Sequence, residues 1–173
     1  MANLKDLRNR IASVTSTQKI TKAMKMVSAS KLKRAQDAAE SARPYAERME
    51  NVLSSLASSM KGQAGGPKLL SGTGNDQKQL VIVATSERGL CGGFNTNIVK
   101  AAKAKINDLL NDGKDVTIIT IGKKGANVLK REYSARMVEH FDMSHVKNLA
   151  FADAAPISAR LIAKFEAGEF DVC

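Results

Sequence analysis

The stretch LVIVATSERGLCGGFNTNIVKAAKAKINDLLNDGKDVTIITIG, residues 80–122, decides the fold class. Leu80 to Thr85 is an unbroken run of aliphatic and β-branched residues, the pattern of a strand buried on both faces. Asn95 to Leu110 then places apolar residues at helical spacing, and Asn111-Asp112-Gly113 supplies the stop. Val116 to Ile121 repeats the buried-strand pattern. A strand, a helix and a second such strand make a βαβ unit, whose two strands run parallel. Downstream, the spacing predicts a short helix from Lys123 to Arg131, a strand from Ala135 to His140, a helix from Pro156 to Phe165 and the start of another strand at Glu169–Cys173. Residues 80–173 therefore read as a Rossmann-like α/β domain with a mainly parallel sheet.

Upstream the pattern changes. From Asn3 to Met60 there is one proline and no glycine, and apolar or small residues recur at alternating steps of three and four. Leu4, Leu7, Ile11 and Val14 begin this heptad seam, and Leu32, Ala35, Ala39, Ala42, Ala46, Met49, Leu53, Leu56 and Met60 continue it. Between the two runs the seam positions hold Gln18, Thr21, Lys25 and Ser28, while Ile20, Met24 and Val27 lie on an adjacent line, a drift that resembles a stutter. Such a helix would be about 85 Å long, and its narrow, Ala-rich seam asks for a second helix wound against it. Pro44 costs about 3 kcal/mol in a helix interior and is expected to kink or end the helix unless a packed partner holds it continuous. Residues 61–79, rich in glycine and polar side chains, read as a flexible linker.

The formal charge of +10 is concentrated at one end. Residues 1–34 carry nine Lys or Arg against Asp6 alone, a net +8, whereas the remaining residues together add +2. A partner of that first segment should be acidic. Two cysteines, Cys91 and Cys173, make no disulfide framework and fit a reducing compartment. No run approaches the roughly 18 apolar residues of a spanning helix, and the N-terminus has no signal-peptide core, so membrane association is expected only through partners.

Chemistry by this chain is unsupported. Ser86 to Asn95 joins the first strand to its helix, where nucleotide-binding folds cradle phosphate. Its glycines fall at 89, 92 and 93, which is neither G-x-G-x-x-G nor a P-loop, and the second strand ends in Gly122-Lys123-Lys124 with no following Ser or Thr. It reads as a structural turn. His140 and His145 are five residues apart, off the spacing that puts two metal ligands on one helical face. No metal, cofactor or catalytic residue is expected. A nucleotide-binding α/β protein, or a nucleic-acid-binding protein with a basic helical arm, are the competing readings. Against the second, no aromatic residue precedes Tyr45 on which bases could stack.

Leu4 to Val14 followed by Thr17 to Val27 strongly resembles the first helix of F-type ATP synthase gamma subunits, and Ser86 to Asn95 resembles the signature that follows their first strand; Ala42-Arg43-Pro44-Tyr45 is similar as well. The similarity runs through the whole chain in order. It implies a long antiparallel coiled coil of N- and C-terminal helices inside the alpha3-beta3 hexamer, with the α/β domain outside it. That domain would bind the epsilon subunit (delta in mitochondria) and the c-ring of Fo, whose proton-driven rotation turns the shaft while three catalytic beta sites change conformation in sequence. No nucleic acid is implied. The +8 segment then faces acidic beta loops, and Lys19, Ile20, Lys22, Met24, Lys25 and Val27 become the expected contacts. The family continues to a C-terminal helix beyond the final strand, so the sequence in hand is expected to be part of a longer chain. The expected location is peripheral, on the cytoplasmic face of a bacterial inner membrane, with the matrix side of the mitochondrial inner membrane as the alternative.

Overall fold

The structure, a computed structural model, describes residues 3–60, 66–147 and 149–173. The chain divides into two units, Met1–Lys61 and Gly62–Cys173.

The first unit is a single helix, α1, Leu4–Met60, 57 residues long. Asn3 caps it: its side-chain oxygen accepts the Lys5 N–H at 3.1 Å and its carbonyl accepts that of Leu7, also at 3.1 Å. The helix runs on through Pro44, so this residue neither ends it nor divides it into two elements. Proline has no N–H, so the carbonyl of Glu40 goes without its helical partner at that turn. Thr17 and Thr21 hydroxyls donate to carbonyls one turn back, Ser13 and Thr17, each at 3.0 Å. The helix buries none of its residues. Its seam residues Leu4, Ile11, Val14, Leu32 and Leu53 all stand exposed.

Residues 61–65 of the expected linker lie outside the described residues. Farther along that segment Lys68–Ser71 forms a single helical turn, α2. Strand β1 spans Lys78–Ala84, starting two residues earlier than the hydrophobic run, because the ladder to β2 (Asp115–Ile121) begins with Lys78 opposite Asp115. Helix α3, Phe94–Asn111, joins them; it ends at Gly113 (φ 72°), whose positive φ lets the Lys114 N–H reach back to the Leu109 carbonyl at 3.0 Å. Helix α4, Lys123–Tyr133, leads through one 3-10 turn to β3, Met137–Phe141. Helix α5 spans Phe151–Glu166. It starts five residues before the expected Pro156, because Asp153 accepts the Ala150 N–H at 2.9 Å and fixes an earlier first turn.

The sheet is parallel with order β1-β2-β3, and its register shifts between Ile118 and Ile119 opposite β3. The strand expected at Glu169–Cys173 is reduced to one parallel bridge, Val172 to Gln79, on the side of β1 away from β2. Helices cover both faces. On one, Val83, Val116 and Ile118 pack with Val99, Ile106 and Leu109 of α3 and Leu129 and Tyr133 of α4. On the other, Leu80 and Ile119 pack with Phe170, flanked by Leu161 and Phe165 of α5. The Tyr133 hydroxyl donates to Asn107 Oδ1 at 2.9 Å, tying α4 to α3. Fully buried Thr120 pairs its hydroxyl with His140 Nδ1 at 2.9 Å, tying β2 to β3.

Candidate interaction surfaces

Two stretches stand out, one in each unit. Along α1, Ile20, Met24 and Val27 follow i, i+4, i+7 and share one face, at 58%, 60% and 57% exposure. Lys19, Lys22 and Lys25 recur every three residues and are all exposed, and at 3.6 residues per turn they centre on the side of the helix roughly opposite that stripe. The helix thus presents an apolar stripe on one side and a basic one on the other, which suits surroundings that meet it on both sides, apolar against the first and acidic against the second. Lys33 is neutralised by Asp37 one turn on, at 3.2 Å.

In the second unit the chemistry gathers at the carboxyl ends of the strands. Helix α4 begins with Gly122 as N-cap and has no side-chain cap of its own. Three consecutive residues leaving β1 satisfy its first amides instead. The Glu87 carboxylate accepts the Lys123 N–H at 3.2 Å, the Ser86 carbonyl accepts that of Lys124 at 3.2 Å, and Thr85 Oγ1 accepts that of Gly125 at 2.8 Å. Helix N-termini leave such donors unpaired and carry partial positive charge, which is how nucleotide folds hold phosphate. Here protein oxygens take up those donors.

The fit leaves no room for side chains at two positions. A Cβ on Gly122 (φ 87°) would stand 2.0 Å from the Thr85 carbonyl oxygen, and one on Gly125 would stand 2.7 Å from Thr85 Cγ2. The glycines near Lys123 are therefore there for the approach of β1's exit loop, not for a ligand. Glu87 also accepts the Met143 N–H at 2.7 Å, reaching the loop after β3.

The rest of that exit loop is bound to the start of α3. Ser86 N–H donates to Asn95 Oδ1 at 3.0 Å, and Asn95 Nδ2 contacts Ser86 Oγ at 2.8 Å and Cys91 Sγ at 3.1 Å. Leu90, at the tip, is fully exposed and is the one non-glycine residue with positive φ (63°) among the described residues. His140 is engaged by Thr120, and among the described residues no three His, Cys, Asp or Glu side chains gather into a metal-binding group. Among the described residues no helix is long and apolar enough to cross a membrane. Asp171 has a carboxyl held below the usual carboxylate range, first by the Lys78 N–H at 2.9 Å and also by the Thr73 hydroxyl at 3.1 Å.

The family resemblance pointed to Lys19–Val27 as contacts, but the sequence reading passed over Glu87 and its three-loop contacts. The available signal was a glycine at the third position of a helix, Gly125, where propensity disfavours it.

Comparison with known proteins bears on both units. Residues 3–173 match the ATP synthase family. The chain is 58% identical over 172 residues to the ATP synthase gamma chain of Parvibaculum lavamentivorans, covering 99% of this chain and 58% of that one. It is 58% identical over 173 residues to the gamma chain of Azorhizobium caulinodans, covering 100% and 60% respectively. A chain in the central stalk and c-ring structure of the Tetrahymena thermophila mitochondrial ATP synthase shares 26% identity with a TM-score of 0.62, over 84% of this chain and 59% of that chain. The chain spans about three fifths of the length of the curated relatives it matches. With the long helix, the parallel α/β unit and matches along nearly all its residues, the chain belongs to the ATP synthase gamma-chain family.

Proposed function

We infer that this chain is the N-terminal part of the central-stalk rotor subunit of a proton-translocating F1Fo ATP synthase, and that it couples c-ring rotation to ATP synthesis or hydrolysis at the beta subunits. The observation that carries the reading is α1: a helix of 57 residues that keeps its apolar seam exposed, with a net +8 in residues 1–34. Taken with membership of the gamma-chain family, an exposed seam of this length fits a shaft whose stability comes from a second helix and a surrounding partner. The three-part organisation follows: residues 1–60 as shaft, 61–79 as linker and 80–173 as the globular part.

In this reading the alpha3-beta3 hexamer surrounds the shaft, while the epsilon subunit (delta in mitochondria) and the c-ring of Fo bind the globular part. Lys19, Ile20, Lys22, Met24, Lys25 and Val27 are the contacts. No bond is made or broken by the rotor. Its work is to stabilise one beta conformation over another at each angle, and moving a two-state site from 1:99 to 99:1 takes about 5.5 kcal/mol of differential contact free energy. A helix with one basic and one apolar face supplies contacts that differ with angle. The location is peripheral, on the cytoplasmic face of the bacterial inner membrane.

The test is replacement of Lys19, Lys22 and Lys25 together by Glu in the full-length subunit. Exposed charges tune states more than they hold a fold, so the complex should assemble while ATP synthesis falls. Unchanged synthesis by an assembled triple variant would reject the contact assignment. Failure of the wild-type full-length subunit to co-purify with alpha and beta subunits from native membranes would reject the rotor reading.

A further inference from the structure

At the carboxyl edge of the sheet, the Glu87 carboxylate has no part in the proposed function. Glu87 follows β1 by three residues, and its two carboxylate oxygens reach different crossovers: one accepts the Lys123 N–H at the start of α4, the other the Met143 N–H in the loop after β3. Gly122 N–H donates to the Phe141 carbonyl at 3.1 Å and Thr85 N–H to the Ile121 carbonyl at 2.8 Å, so the strand ends themselves are already in register. What Glu87 adds is a tie among the three loops that leave those ends. The turn that follows it, Arg88-Gly89-Leu90, is exposed, and Leu90 is held at a positive φ that strains a leucine. Such a conformation persists only where its flanks are fixed. The Ser86 and Asn95 bonds fix one flank to α3, and Glu87 fixes the turn to α4 and the loop after β3.

We propose that Glu87 is a positioning residue: its carboxylate joins the three exit loops into one unit and sets the stance of the exposed Arg88-Gly89-Leu90 turn. The coupling part of this inference rests on the rotor reading, since a rotor must pass load through its globular part without yielding. The tie itself does not depend on that reading.

The experiment uses the full-length subunit in the assembled ATP synthase, as wild type, Glu87→Ala and Glu87→Gln, followed by amide hydrogen exchange. In Glu87→Ala, peptides holding Lys123 and Met143 should exchange about tenfold faster or more, because each loses a charge-assisted hydrogen bond. Glu87→Gln keeps one acceptor oxygen and should fall between. Acetate at matched ionic strength should restore part of the protection in Glu87→Ala, and chloride should not. Protons pumped per ATP hydrolysed should drop in Glu87→Ala, with a smaller loss in Glu87→Gln. Equal exchange in all three proteins, or faster exchange spread evenly over β1, β2 and β3, would overturn the tie. Lost protection with an unchanged pumping ratio would overturn the positioning role. A wild-type subunit that cannot restore pumping to a complex lacking its gamma chain would instead remove the rotor reading and leave the exchange result standing.

Discussion

Gly125 sits in the first turn of α4 with its N–H on Thr85 Oγ1, and a methyl group there would stand 2.7 Å from Thr85 Cγ2 and 2.8 Å from Thr85 Oγ1. Two effects compete in Gly125→Ala. Helix propensity favours alanine by about 1 kcal/mol, while overpacking against a side chain fixed by the sheet costs about 1–3 kcal/mol. The net should be destabilisation of about 0–2 kcal/mol. In Thr85→Ala the offending atoms are gone and only the Cβ at 3.3 Å remains, so Gly125→Ala made in that background should stabilise by up to about 1 kcal/mol. Thr85→Ala alone loses the bond from the Gly125 amide and the hydroxyl's own donation to the Gly122 carbonyl at 3.2 Å, together about 1–3 kcal/mol. The two sites should therefore couple by about 1–3 kcal/mol in a double-mutant cycle. Urea titration followed by Tyr133 emission reads it, since that ring lies in the core between α3 and α4. Additive effects, with Gly125→Ala stabilising equally in both backgrounds, would refute the claim that glycine is required by the approach of Thr85.

Asp171 has a lowered carboxyl pKa, so its contribution to stability is present above the ordinary carboxylate value and is lost as pH falls through the lowered one. Acid titration of Asp171→Asn should show a shallower loss of stability below about pH 4 than the wild type, and an identical acid limb would count against this role. At the Thr120–His140 pair, His140→Ala leaves a buried hydroxyl unpaired and should cost about 1–3 kcal/mol, more than Thr120→Val, whose loss leaves only the exposed ring; thermal unfolding of the two variants gives the order. Because α1 buries none of its residues, the 173-residue chain at low concentration should show less helix by circular dichroism than 57 helical residues require, and strong exchange protection from Leu4 to Met60 in the dilute monomer would contradict this.

The parallel domain was legible because its strands are buried on both faces. Ile118 and Ile119 are neighbours that point to opposite faces and are both fully buried, so apolar residues follow one another without the polar positions an amphipathic helix shows. The boundaries that moved did so where hydrogen bonding, not hydrophobicity, sets the limit. Lys78 and Gln79 join β1 because Asp115 and Val116 pair with them, a contact 37 positions away that no local pattern reports. Likewise α5 starts at Phe151 because a short acidic side chain, Asp153, reaches back to Ala150, whereas Pro156 suggested a first turn by its fixed φ alone. The seam of α1 was legible for the opposite reason. Its heptads are a local periodicity that can be read along the sequence without knowing what packs on it.

The interlock around Glu87 shows what a single sequence conceals. Glycines at 122 and 125 and a Ser-Glu pair after β1 are 35 or more positions apart, and each has an ordinary local explanation as a turn former or a loop polar residue. Only the parallel register, which sets Ala84 beside Ile121, brings the two exits together. Once they are adjacent, the accounting of α4's orphan amides becomes a constraint on the neighbouring loop: oxygen acceptors are needed at three successive positions, and Thr85, Ser86 and Glu87 provide one each. The same accounting separates the start of α4 from a phosphate cradle. A cradle keeps its amides free for a ligand, whereas the first donors of α4 are satisfied by the chain itself, and Gly122 and Gly125 leave room for Thr85.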